Sequence, residues 1–513
     1  MIWKYLTIIL AIIFLSKYMV SQTNNNIPYE GNQTPEYING VIIDIETGNP
    51  LPYANIFVKT KNIGVVSNEK GQFSINKEFV DETDTLRFQY IGYITKNICI
   101  KNIDSNNYVG LQEKIINLSE LLIFGSPPNP KEIVKKVLEN KDVNYPEITS
   151  KKMAFLRDRY DMNIDKIDLN YKKSSIPDID DDMVELIEEK IPKYSTSYTD
   201  FLGNIYFTHI QNDSSMIKIE PIKTVSLKED DIDEIDRLES IFIQMFENTK
   251  EDEYWKIKTG ILSTKVDLED NSVNDTIADS ISDNYRKLKY FNYRLSYYLK
   301  FSSFENTKQW EFLHKTSKYR YELVGGTSVN QEDVYIIDFT PKDDGMYIGR
   351  LYISTNTYAL IRADYEYAPE QLGRDIQLFG IGYTETQFSG SIYFEKIDST
   401  YFLKYFSNRK GSVASIERSF SLLKKRERFL FDKKVNEIKI GMDLFVNNEE
   451  SVELLILDNE LIGQESYSAF EQDEFMEIIY VDQFDDKLWK SYSIIEPTKQ
   501  MKNYKKQEES FGN

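Results

Sequence analysis

The chain reads as mainly β: a seven-stranded N-terminal sandwich, then a larger α+β domain with a curved antiparallel sheet and a few helices. Three observations predict this. Residues 38–93 carry turn signals at short intervals, Thr47-Gly48-Asn49-Pro50, Asn68-Glu69-Lys70-Gly71 and Ile91-Gly92, with β-branched runs between them. Residues 334–367 repeat a strand–turn rhythm: VYIIDFTP, a turn at Lys342–Gly345, MYIGRLYIS, a turn at Thr355-Asn356, then TYALIRADYEY. The chain also holds 36 Tyr and 29 Phe, residues that favour a pleated, half-buried surface.

Within the first region Ala54, Ile56 and Val58 alternate with Asn55 and Lys59, and Leu86, Phe88 and Tyr90 alternate with Arg87 and Gln89. Period two with one apolar face means half-buried strands, and several at this spacing mean a sandwich. Strands are expected near 38–43, 53–59, 63–67, 72–75, 84–90, 93–100 and 107–112. The residues Gly40-Val41, Asp44, Thr47-Gly48-Asn49-Pro50-Leu51-Pro52-Tyr53-Ala54-Asn55-Ile56, then Gly64 to Gly71-Gln72-Phe73, then Tyr90-Ile91-Gly92-Tyr93 resemble the carboxypeptidase-like regulatory domain. The resemblance implies a transthyretin-like β-sandwich over 37–113, of the kind that opens exported proteins of Bacteroidetes type. It implies no catalytic residues in the module itself.

Lys and Arg number 62 against 83 Asp and Glu, a net charge of −21. That balance opposes nucleic-acid backbones and an anionic membrane surface. A single cysteine, Cys99, excludes an internal disulfide. It sits on the parity of Thr95 and Asn97, toward the sandwich exterior, and reads as a structural rather than a reactive thiol.

Residues 1–21 read as a signal peptide, with Lys4, the apolar run Leu6–Leu15 and Ser21 before Gln22. The run is shorter than the about 20 residues a span needs, and Lys17 interrupts it. Cleavage near Ser21 is expected, with a retained anchor as the alternative. No cysteine follows to take a lipid, and no later stretch reads as a membrane span. Residues 22–36 are a polar, disordered lead-in.

The breakers Gly125-Ser126-Pro127-Pro128-Asn129-Pro130 end a linker over 114–130. Asn129-Pro130 then starts a helix with Ile133, Val134, Val137 and Leu138 on one face. The string NPKEIVKKVLENKDVNYP, with MAFLRDRY after it, resembles the segment C-terminal to this sandwich in exported family members. Residues 131–482 are expected to form a β-rich, half-barrel-like domain similar in rhythm to periplasmic lipoprotein carriers, with 483–513 an irregular tail. Helices are expected at Asp180–Ile191 and Glu229–Lys250, the second covering the sheet's apolar face. After Trp255 mainly strands are expected, with FSLLKKRERFL either a helix or a charged strand.

No constellation specifies a reaction, and no catalytic residue, metal or cofactor is expected. His209 and His314 lack the carboxylate spacing a zinc site needs. No G-x-S-x-G occurs, and Gly380-Ile381-Gly382 lacks the third glycine of a dinucleotide loop, so it reads as a turn. Asp178, Asp180, Asp182 and Glu189 fall at calcium-loop positions, but Met183 stands where the glycine should be. Asp180 or Asp181 reads instead as a helix N-cap.

The aromatic–basic stretch Tyr285–Phe304 is the expected contact surface, through Tyr285, Tyr290, Tyr293, Tyr297 and Tyr298. Leu351 and Ile353, opposite in parity to Arg350 and Tyr352, are expected to line an acyl-sized cavity unless helices fill that space. The resulting expectation is an exported, non-enzymatic binding or envelope-assembly protein, periplasmic or outer-membrane associated. Its sandwich would dock a partner, and its larger domain would take an envelope protein, lipid or glycan. A glycan-binding accessory protein and a carboxylate-based hydrolase are the alternatives.

Overall fold

The structure is a computed structural model. It describes residues 37–58, 61, 64–103, 108–114, 128–210, 214–227, 246, 248–260, 262–266, 285–329, 332–342, 344–429, 431–489, 492, 494–498 and 501–502. The expected signal peptide, the lead-in, most of the linker and most of Glu229–Lys250 lie outside these residues.

Seven strands form the N-terminal sandwich: β1 (Tyr37–Asp44), β2 (Asn55–Val58), β3 (Gly64–Val66), β4 (Gln72–Asn76), β5 (Thr85–Gln89), β6 (Lys96–Cys99) and β7 (Tyr108–Leu111). They pair as a three-stranded sheet β4-β1-β7 and a four-stranded sheet β3-β2-β5-β6. The expected alternation holds, since Ala54, Ile56, Val58, Leu86 and Phe88 are buried in the shared core. Cys99 is half-buried, its thiol donating to Glu82 O at 3.4 Å.

Two helices follow, α1 (Pro130–Glu139) and α2 (Lys141–Asn144). Asn129 caps α1 by accepting from Lys131 N at 3.0 Å, with Pro130 at the first position where its missing N–H costs nothing. The large sheet comprises β8 (Ser150–Ser174), β9 (Tyr194–Ile210), β10 (Ser214–Leu227), β11 (Glu253–Thr259), β12 (Leu262–Val266), β14 (Tyr319–Val329), β15 (Glu332–Pro341), β16 (Tyr347–Ser354), β17 (Leu360–Tyr367), β18 (Asp375–Leu378), β19 (Ile381–Ile397), β20 (Thr400–Arg426), β21 (Lys433–Leu461) and β23 (Ile479–Val481). Its order is β14-β15-β16-β17-β19-β20-β21-β8-β9-β10-β23, with β11 and β12 beside the far end of β20 and β18 beside β19. The chain meanders from β14 to β21, and the earlier strands β8 to β10 then add to β21. The short β13 (Tyr285–Lys287) pairs separately with β22 (Phe475–Glu477).

Helix α3 (Asp181–Lys190) begins where the acidic run suggests. Asp180 accepts from Met183 N at 3.0 Å, the capping role rather than a calcium loop. The region after Trp255 is mainly strands, as expected, and also holds helices whose positions the sequence did not mark. Leu288–Ser302 is helix α4 and Glu311–His314 is helix α5, with α6 (Gln464–Ala469) later. Leu288, Phe291, Leu295 and Tyr298 form the buried stripe of α4, a helical spacing that its Tyr and Phe content masked.

These helices cover one face of the sheet. Ile133, Val134 and Val137 of α1, the α4 stripe, and Trp310, Phe312 and Leu313 share one core with Ile337, Phe339, Leu351, Ile353, Ile361, Ala363 and Leu454. Leu351 and Ile353 are fully buried there. The expected acyl cavity is therefore absent among the described residues, and α1, α4 and α5 occupy its place. The sandwich packs on the opposite, outer face.

Candidate functional site

Side chains alternate across a strand, so the strands that bury Leu351 and Leu454 inward send Arg350 and Glu453 outward. Register turns that parity into a line. Asp338, Arg350, Asp364, Ser391, Ser407, Glu453, Arg157 and Asp200 are successive cross-strand partners from β15 to β9. Charges alternate at both ends of the row, and two serines fill its centre.

Ion pairs saturate each end. Arg350 donates from Nε to Asp338 Oδ1 at 2.6 Å and from Nη1 to Glu113 Oε1 at 3.0 Å, tying the sheet to the end of the sandwich. Arg362 grips Asp364 at 2.7 and 3.0 Å, donates to the Tyr90 hydroxyl and lies 4.2 Å over the Tyr90 ring. At the other end Arg157 is fully buried and donates to both oxygens of Asp200, at 2.8 and 2.7 Å, and to Ile495 O at 2.9 Å.

That last bond fixes the C-terminal segment, expected to be an irregular tail. The segment is irregular in form but buried in place: Ile495 bridges Val66 of β3, Asn68 donates to Pro497 O at 3.3 Å, and Trp489 packs against Phe155. It straps the sandwich to the sheet.

Gly92 and Tyr53 set how close the two bodies come. Gly92 has φ +85, and a Cβ there would sit 3.2 Å from the Tyr352 ring. Tyr53 holds φ +62, a strained conformation for a non-glycine residue, with its ring 4.3 Å from that of Tyr405.

Between these contacts a cleft of about 540 Å³ remains, with Pro52, Tyr53 and Glu69 as its roof. The floor includes Ser389, Ser391, Ser407, Arg409, Ser451 and Glu453. Its volume lies within the range of small-molecule sites. Glu453 is only 6% exposed, and its Oε1 receives no hydrogen bond. Burial pushes its carboxyl up to about 7, with Arg157 working against the rise and Glu69 adding to it. Glu69 Oε1 also lacks a hydrogen bond, with Arg159 Nη2 3.6 Å away. Arg159 and Arg409 both reach Glu449, at 3.1 and 2.6 Å. The cleft thus holds five acids, Glu69, Asp338, Asp364, Glu366 and Glu453, against Arg350 and Arg409. It can accept hydrogen bonds and positive charge.

The residues expected from sequence lie elsewhere. Tyr293 and Tyr297 project from α4 and are exposed, as is Tyr285 in β13. Tyr290 falls in α4, its side chain outside the described set. Tyr298 is buried instead, donating to Asp158 Oδ2 at 2.5 Å beside Arg294, so it supports the core rather than a contact surface. Leu351 and Ile353 face the core and offer no surface. His314 engages Phe304 O at 2.7 Å, and His209 lies in β9. No cluster of three or more metal-ligating side chains occurs among the described residues. Sequence reasoning missed Glu69, Ser407, Arg409 and Glu453. Its available signal was polar parity within the strands, as in Glu449, Ser451 and Glu453, but the partners lie far apart in the chain.

Residues 38–123 match the model of the CarboxypepD_reg-like domain, so the N-terminal module is of that family. No curated protein sequence matches the chain significantly. Among solved structures it is similar to a domain named for outer membrane lipoprotein sorting from Vibrio parahaemolyticus, at 9% identity and TM-score 0.22, covering 66% of this chain and 97% of that one. It is also similar to a LolA superfamily protein from Nitrosomonas europaea, at 12% identity and TM-score 0.16, covering 67% and 98%. The Pseudomonas aeruginosa MucA/MucB complex gives 8% identity and TM-score 0.15, covering 61% and 93%. At these TM-scores the likenesses say nothing of this chain's ligand. Among the described residues no helix is long and apolar enough to cross a membrane.

Proposed function

We propose that this chain is an exported, non-enzymatic binding protein of the cell envelope, whose ligand seats in the cleft between the sandwich and the outer face of the sheet. The carrying observation is Glu453, a buried carboxyl in the lining of a cleft that has room for a small molecule; one carboxyl oxygen receives no hydrogen bond from the protein. A buried acceptor without a donor is costly, and a ligand hydroxyl or ammonium group would supply the donor. The ligand class is therefore polar and donor-rich, such as a glycan or amine, and the acyl chain that an apolar cavity would suit is replaced. The sandwich acts as the roof of this site, docked on its own chain.

Native mass spectrometry of protein taken from its own envelope tests this. A small polar adduct is expected on the parent and is expected to be lost in Glu453→Gln and in the cleft-filling Ser407→Trp, both with native circular dichroism. An adduct unaffected by both variants, or no adduct from any envelope fraction, overturns the reading.

One observation favours a second reading. A carboxyl that holds its proton near neutrality in an acidic cleft has what a general acid needs. Glycoside hydrolysis abolished by Glu453→Gln would establish that function and displace the binding one.

A further inference from the structure

The hairpin that joins β20 to β21 carries Phe429 and Phe431 at its tip, 101% and 86% exposed. Phenylalanines so free of contact at one turn contribute nothing to the fold, and an exposed apolar tip marks a surface meant to be covered. Its position suits contact. β19 last pairs with β20 at Ile416, and β20 runs to Arg426, ten residues further (426 − 416), which is roughly 33 Å of strand. On the other side β8 stops pairing with β21 at Ile438. Among the described residues, β11 and β12 pair beside the projecting end, and α3 packs on its base at Leu422, Ile438 and Ile440.

Charge says what covers it. Residues 424–434 hold six cations, Lys424, Lys425, Arg426, Arg428, Lys433 and Lys434, against Glu427 and Asp432, in a chain of net charge −21. Some are neutralised: Lys424 and Arg426 by Glu253 at 3.0 and 2.6 Å, and Lys434 by Glu437. The acids are occupied too, Glu427 by Lys265 and Asp432 by the Tyr254 hydroxyl. Lys425, Arg428 and Lys433 make no ion pair among the described residues and stand beside the phenylalanines. An apolar tip ringed by free cations complements a bilayer surface bearing anionic lipid: rings enter the acyl boundary while the cations stay at headgroup level. The acidic body is repelled by the same surface, so contact is confined to the tip.

We infer that the β20–β21 hairpin tip is a membrane-docking element, inserting Phe429 and Phe431 into an anionic lipid surface. This stands independently of the cleft. The full chain is sedimented with vesicles of phosphatidylcholine alone and with about one-third phosphatidylglycerol added. Binding is expected on the anionic vesicles, reduced about tenfold or more by Phe429→Ser with Phe431→Ser, with unchanged circular dichroism. Arg428→Gln with Lys433→Gln is expected to remove the preference for phosphatidylglycerol.

In Phe429→Trp, brominated lipid is expected to quench fluorescence beyond the quenching of the parent, which separates the tip from any affinity of residues 1–36. Absence of that extra quenching overturns the inference. So does a dimer in solution that the Phe429→Ser, Phe431→Ser pair makes monomeric, because the tip would then seat on a second copy.

Discussion

The two faces of the large sheet are built by the same strands and differ in almost everything else. Inward, Leu351, Ile353, Ile361, Ala363 and Leu454 meet helices of the same chain and leave no space. Outward, Arg350, Asp364, Ser407 and Glu453 lie under a sandwich that touches the sheet at Gly92, Tyr90 and Tyr53 and leaves a cleft. An apolar face is covered until it is filled, because each exposed methylene costs about 0.8 kcal/mol. A polar face can stay partly open, because water satisfies it. The space left for a ligand is therefore on the polar side.

The inner face should be the more fragile. Leu351→Asp places a carboxylate at a fully buried position among helices, and loss of more than about 4 kcal/mol is expected, enough to unfold the larger domain. Circular dichroism and urea melts check this. A variant that stays folded would mean that the inner face is looser than the packing indicates.

On the outer face the largest effect falls at the strap. Arg157→Leu leaves Asp200 buried without its cation, at an expected cost of about 3–5 kcal/mol. It also releases Ile495, so hydrogen exchange over 494–498 should rise well before global unfolding. Equal protection in parent and variant would detach the strap from Arg157.

How much of this was legible in the sequence depends on the range of the interactions. The sandwich was legible because turn residues a few positions apart set its strands, and the parity of Leu351 against Arg350 was correct for the same local reason. Asp180 as a cap was equally local. The inner cover was not legible among the described residues: the α4 stripe Leu288, Phe291, Leu295 and Tyr298 lay hidden among aromatics that favour strands. The cleft was legible only as polar parity within single strands. Ser407, Glu453 and Arg157 adjoin only through cross-strand register, and Glu69 arrives from another domain. Period two shows which residues share a face, but it does not show which strand lies beside which.

The contact between the sandwich and the sheet can be loosened directly. Gly92→Val forces a β-branched residue into a positive φ and against Tyr352, at an expected cost of about 3 kcal/mol. The sandwich should then separate before the sheet melts, seen as two transitions in calorimetry. A single, unshifted transition would show that Gly92 does not set the approach.

The most direct test of the cleft as an unmet acceptor is the thermal stability of the parent and Glu453→Gln across pH. The folded carboxyl titrates near 7, against 4.5 for the ordinary group. Below 4.5 it is protonated in both states and contributes nothing. Between 4.5 and 7 the unfolded chain releases the proton while the folded one keeps it, so the parent loses stability as pH rises. Above 7 the loss is complete, about 3 kcal/mol. The account predicts that Glu453→Gln gains on the parent through that window and holds its advantage above it. Parallel curves, or a parent that gains stability as pH rises from 4.5 to 7, would show that Glu453 is already satisfied within the fold and would contradict the cleft as a ligand site.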